Sequence, residues 1–176
     1  MEFYQTISHD SEEPLTYLHN RVEGAQEFTT LFYIPKNAPM DMYRADYTPG
    51  VKLYVKRVFI TDDDKELLPP YLRFVKGIMD SEDLPLNVSR ELLQENKILA
   101  NMKQNSVKKI LQAIKKLDGE DAQRFTNQYN KLIKEGIYSD FINKDLLLDI
   151  VRYKSSTEEG MVGFEDYISR ANSEDK

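Results

Sequence analysis

Cysteine and tryptophan are missing from this chain of 176 residues, and histidine occurs only twice. Without thiols there is no disulfide and no thiolate metal site, which suits a reducing cytosol. A zinc centre, which draws three or four ligands from His, Cys and acids at set spacings, cannot be assembled around His9 and His19 alone. The usual nucleophile and base pairs are equally hard to build. Glycine is scarce, and neither G-x-x-x-x-G-K-[ST] nor G-x-G-x-x-G occurs, so no phosphate cradle is encoded. A G-x-S-x-G elbow is absent as well. No apolar run approaches the ~20 residues that cross a bilayer, and Met1-Glu2-Phe3 opens without a basic and then apolar leader. A metal protein, a membrane protein and a self-contained nucleotide enzyme are thereby disfavoured, and a cytoplasmic location is expected.

What is present suits a folded chain: apolar residues make up 40% and charged residues 31%, with eleven Tyr and eight Phe. The net charge of -6 conceals a basic block. Between residues 97 and 117 stand Lys97, Lys103, Lys108, Lys109, Lys115 and Lys116 with no acid among them, so nucleic acid must be weighed as a partner. Leu99, Met102, Val107, Ile110, Leu111, Ile114 and Leu117 recur at helical spacing in the same block, which predicts an amphipathic helix with its lysines in solvent. No aromatic residue interrupts the lysines to stack on a base, and the acidic chain repels phosphate. An autonomous basic-helix nucleic-acid module is therefore the second reading, and a solvated helix face the first.

The first hundred residues read as mixed α and β. Glu27 to Ile34 is rich in β-branched and aromatic residues and ends at Pro35, which predicts a strand. Val51 to Ile60 alternates Leu53, Val55, Arg57 and Phe59 with Lys52, Tyr54, Lys56 and Val58, which predicts a second. Between them residues 35–50 form a long loop whose Met40, Met42, Tyr43 and Tyr47 either tuck against the sheet or dock a protein. Asp62-Asp63-Asp64 lacks the glycine and glutamate of a calcium loop and reads as a solvated turn, so no metal is assigned. Further on, residues 119–135 and 144–153 read as helices. Gly160-Met161-Val162-Gly163 has the outline of a backbone-clamping RNA loop with apolar residues in its middle.

The informative stretch is Phe74 to Asp80, a buried strand, running into Ser81-Glu82-Asp83-Leu84-Pro85-Leu86-Asn87-Val88-Ser89-Arg90-Glu91-Leu92-Leu93-Gln94. Ser89 can cap a helix there, with Arg90 in its first turn and Gln94 one turn on along the same side. A cation at a helix N-terminus faces the positive end of the dipole, so Arg90 either awaits an anion or pairs with Glu91, Glu95 or Asp83 at the surface.

This stretch resembles the signature of the ninety-kilodalton heat-shock chaperone family, heat shock protein 90, of the bacterial HtpG type. Leu84-Pro85-Leu86-Asn87-Val88-Ser89-Arg90-Glu91 stands uninterrupted. Val51 to Ile60 and Leu68 to Gly77 resemble the preceding segments of that family. Glu2-Phe3-Tyr4, His19 to Gly24, Lys134-Glu135-Gly136 and Phe164 to Tyr167 extend the likeness along nearly the whole chain. One departure is Met40, where HtpG-like proteins commonly carry a bulky aromatic ahead of the Asp-Met pair.

The resemblance implies the middle segment of a chaperone whose N-terminal ATP-binding and C-terminal dimerisation domains are not in this sequence. It implies an α/β fold: a three-layer α-β-α sandwich over residues 1–119, a small helical bundle over 120–153, and the start of a small α/β subdomain over 154–176. Its strands would be missing and the tail from Lys154 loosely held. Arg90 would reach the γ-phosphate of ATP held, with magnesium, by the N-terminal domain. Gln94 would lie near that phosphate, and Asn87 in the loop that delivers Arg90. The segment would not be an enzyme by itself, but part of an ATPase, and would bind no ATP alone. Its partners would be the N-terminal domain and unfolded client proteins, with no nucleic acid and no membrane. It would be monomeric within a homodimeric parent.

Overall fold

The computed structural model describes residues 2–44, 46–62, 67–87, 93 and 96–171. It resolves into two compact units, Met1–Ala113 and Ile114–Lys176. The first is built on a five-stranded mixed sheet, so the α/β class expected from the sequence is what the structure shows.

That sheet contains β1 (Thr16–Val22), β2 (Phe28–Ile34), β3 (Gly50–Val55), β4 (Val58–Thr61) and β5 (Lys76–Ser81), in the spatial order β1-β2-β5-β3-β4. Only the β3/β5 pair is parallel. Register brings Asn20, Thr30, Met79 and Leu53 into one row, with Leu18, Phe32, Gly77 and Val51 in the next. On β2, β3 and β5 these rows are buried, because alternate residues of a strand share a face. Gly77 is required there: a Cβ would lie 2.1 Å from the Leu31 carbonyl oxygen, and its φ is +154°. On the opposite face helix α1 (Glu2–Ser8) sets the Tyr4 ring 5.0 Å from that of Tyr33.

The second expected strand is two. Val51 to Ile60 breaks at Lys56–Arg57, which turn the chain with φ values of 49° and 67° and make β3 and β4 a hairpin. A two-residue turn of this kind normally announces itself as Asn-Gly, and here that signal is absent.

Helix α2 (Lys97–Lys115) begins at Asn96, whose Oδ1 accepts the N–H groups of Ile98 at 2.8 Å and Leu99 at 3.3 Å. Leu99, Met102, Val107, Ile110, Leu111 and Ile114 are buried as the spacing required, and five of the six lysines are exposed.

In the second unit α3 (Gly119–Ser139) packs on α4 (Lys144–Ile150). The latter stops short of Tyr153 because Val151 turns extended and one nitrogen of Arg152 takes the carbonyls of Asp149, Ile150 and Val151. The segment after it, described to Ala171, carries strands where none was expected. Strands β6 (Tyr153–Lys154) and β7 (Met161–Val162) pair, and α5 (Phe164–Arg170) follows. The two middle residues of the Gly160 to Gly163 outline are thus a strand and not the tip of a clamping loop.

Candidate functional site

The stretch that carries the sequence signature leaves the sheet at the carboxyl end of its central strand. Ser81 is fully buried, and its Oγ accepts the backbone N–H groups of Asp83 and Leu84 at 3.2 and 3.1 Å, which turns the chain as β5 ends. From the side of β1 and β2, Glu27 takes part in two bonds: its carbonyl accepts the N–H of Glu82 at 3.0 Å, and its own N–H donates to Asp83 Oδ2 at 2.6 Å. From the side of β3 and β4, the N–H of Lys56 donates to the Ser81 carbonyl at 2.9 Å, and the N–H of Arg57 to Asp80 Oδ1 at 3.2 Å. Two turns therefore clamp the strand end. Leu84 then anchors the departing chain, fully buried, and Leu93 is buried nine residues later.

Beyond Leu84, the residues Pro85, Leu86 and Asn87 are exposed. Arg90 and Gln94 lie outside the described residues, as do Ser89, Glu91 and Glu95. The anchors were not singled out from sequence. Ser81-Glu82-Asp83 carries turn-forming chemistry that could have flagged them, whereas the reach of Asp83 to Glu27 spans 56 residues and has no local signal.

The loop over residues 35–49 divides its four apolar side chains. Met42 is buried and Tyr47 half-buried, while Met40 is fully exposed and Tyr43 more than half so. The loop is held by Arg73, whose Nε donates to the Met42 carbonyl at 3.1 Å, and by Tyr47, whose hydroxyl donates to the Arg73 carbonyl at 3.2 Å. Lys76 Nζ donates to the Tyr47 hydroxyl at 3.1 Å. Burial pushes the Lys76 ammonium below its ordinary range, with Asp41 pulling the other way. Burial, then Asp41, raises the Tyr47 phenol to about 12. Beneath this loop lies a cavity of about 330 Å³ walled by Met42, Leu68, Leu72 and Val75, with Arg44 and Arg73 also in its lining.

Among the described residues no group of three or more His, Asp or Glu could hold a metal ion, and no helix is long and apolar enough to cross a membrane. Asp63 and Asp64 lie outside the described residues.

A family model described as Hsp90 protein matches residues 1–176. The chain is 80% identical over 176 residues to the chaperone protein HtpG of Sulfurovum sp. strain NBC37-1, covering all of this chain and 28% of that protein. It is 61% identical over 168 residues to the HtpG of Helicobacter pylori strain 26695, covering 94% of this chain and 27% of the relative. The chain thus spans little more than a quarter of the length of these curated relatives. Among solved structures, the middle domain of a Plasmodium falciparum heat shock protein superposes with a TM-score of 0.81 at 28% identity, covering 98% of this chain and 67% of that one.

Proposed function

The chain belongs to the Hsp90 family, and from that premise we propose that it is the middle segment of an ATP-dependent molecular chaperone, binding unfolded client protein and supplying Arg90 to nucleotide held by the N-terminal domain. The observation that carries the reading is the clamped end of β5, a fixed base from which the exposed Pro85, Leu86 and Asn87 lead toward Arg90. A pre-organised base of this kind is what delivery of one side chain to another domain requires.

ATP and its magnesium would supply a triphosphate whose γ-phosphoryl group gathers charge as the bond breaks. The guanidinium of Arg90 is planar, always protonated, and able to meet two phosphate oxygens at once. Gln94 supports the same phosphate and Asn87 belongs to the segment that swings. Among the described residues the chain offers no phosphate cradle, so turnover belongs to the full-length protein and not to this segment. On this reading residues 1–119, 120–153 and 154–176 are its subdomains. The parent is a cytoplasmic homodimer, and the segment alone is a monomer with neither nucleic acid nor membrane as partner.

The test is Arg90→Ala in the full-length protein. Turnover should fall by roughly tenfold or more while nucleotide affinity and melting temperature hold. Arg90→Lys should restore little, because an ammonium loses the two-point geometry. If turnover fell only in proportion to unfolded protein, Arg90 would be a structural ion-pair residue and the reading would fail.

A further inference from the structure

Folded interiors leave few voids larger than a water molecule, because a side chain that faces empty space forfeits its dispersion contacts. The cavity beneath residues 35–49 is such a void, of about 330 Å³, and on its wall Met42, Val51, Leu68, Leu72 and Val75 are each at most 8% exposed. That volume lies at the lower end of the range for small-molecule sites. The loop above it is tied in place. Arg73 Nε donates to the Met42 carbonyl at 3.1 Å, its Nη1 to the Pro70 carbonyl at 2.8 Å, and the Tyr47 hydroxyl donates to the Arg73 carbonyl at 3.2 Å. The stem of Lys76 runs through the space that a Cβ at Gly50 would fill, which brings its Nζ to the Tyr47 hydroxyl at 3.1 Å.

The charge on this lining has one sign. Its charged residues are Arg44, which is exposed, and Arg73, which is half-buried, while neither acid of the loop, Asp41 or Asp46, belongs to it. Asp46 instead meets the Arg44 guanidinium at 3.0 and 3.1 Å in an exposed pair. Such a pair adds little stability, since both charges remain in water. A ligand carboxylate can take the place of Asp46 on the same planar fork.

We propose that this cavity is a binding site for small amphipathic carboxylic acids, with an apolar or aromatic body seated on Leu68, Leu72 and Val75 and the carboxylate held by Arg44 and Arg73. A neutral analogue fills the same void and forgoes the charge-assisted bonds to the guanidinium groups. The volume confines the body to a short chain or a pair of fused rings. The site is separate from Arg90 and does not depend on the role given to that residue.

The experiment titrates naphthoate into the full-length protein with isotopically labelled methionine methyl groups, read by NMR. The Met42 methyl should move saturably, with a dissociation constant on the order of 0.1 mM. The methyl of Met40, fully exposed two residues away, should stay in place. Naphthamide, the neutral analogue, should bind at Met42 about fivefold more weakly. Arg44→Gln should remove that preference for the acid while the melting temperature holds, because the pair it breaks is exposed. Leu68→Trp carries an indole into the void and should weaken both ligands by about tenfold or more. No saturable shift at Met42 up to the solubility of naphthoate, equal affinity for acid and amide in the wild-type protein, or a preference for the acid untouched in Arg44→Gln would each overturn the proposal. So would unweakened binding in Leu68→Trp, and if that variant fails to fold, the wild-type titration and Arg44→Gln decide the matter without it.

Discussion

Three phenols of the first unit hold their protons beyond the usual range, and Tyr33 is one of them, raised by burial and then by Tyr17. Tyr4 and Tyr47 are both raised from 10.0 to about 12, chiefly by burial, with Asp10 beside the first and Asp41 beside the second adding to the effect. An acid whose folded pKa lies above its unfolded value favours the folded state at all pH below the unfolded value. That advantage is lost as pH climbs through the folded one. Stability should therefore be flat up to about pH 10 and fall between pH 10 and 12, for these two groups alone. Lys76 works in the opposite sense. Its ammonium is disfavoured by burial, so the cost of holding that charge is relieved as pH rises through its lowered pKa toward 10.5. Melting curves between pH 9 and 12 should show the tyrosines prevailing, and Y4F/Y47F should flatten the decline. An unchanged slope in that variant would refute the assignment.

Asn130 joins two elements of the second unit. Its side-chain amide donates to the Arg152 carbonyl at 2.8 Å and its Oδ1 accepts the Arg152 N–H at 2.9 Å, so α3 holds the chain as it enters β6. A two-residue ladder is too short to persist unaided. Its further supports are the Tyr153–Phe164 ring pair at 5.2 Å, Lys134 Nζ 4.2 Å over Tyr153, and the Arg170–Glu158 ion pair. Asn130→Ala strands both backbone groups of Arg152 and should cost about 2 kcal/mol. The first consequence should be opening of residues 153–162, read as faster amide exchange there and as early cleavage after Lys154. Asn130→Asp keeps the acceptor and loses the donor, and should fall between. Unchanged exchange in Asn130→Ala would mean that the ring contacts alone hold the hairpin.

For the whole molecule the decisive comparison is between this segment alone and this segment with its proposed partner. Alone it should show no saturable one-to-one ATP site by calorimetry, because no cradle is encoded and one arginine is a weak anion site. Mixed with the isolated N-terminal domain it should raise ATP turnover, and an Arg90→Ala segment should not. Turnover unmoved by the wild-type segment would remove the support for a division of the ATPase between two domains. The basic helix gives a further discrimination. Affinity for nucleic acid carried by its lysines would collapse steeply with salt, and a chaperone segment should have none to lose.

The sequence by itself determined whatever depends on spacing along the chain. The apolar stripe of α2 and its solvated lysines follow from a period of 3.6, and β2 from a run of β-branched and aromatic residues closed by Pro35. The family and the identity of Arg90 as candidate were legible in one uninterrupted motif. Tertiary structure alone decided whatever depends on residues far apart in the chain. The split of Val51 to Ile60 into a hairpin is stabilised by Ser81 and Asp80, which accept the amides of Lys56 and Arg57 from another strand. The hold on the chain as it enters β6 depends on Asn130, 22 residues before Arg152. The fate of Met40 and Met42, two residues apart and alike in chemistry, was likewise invisible in the sequence. One is fully exposed and the other buried because Arg73, 31 residues on, reaches back to the Met42 carbonyl.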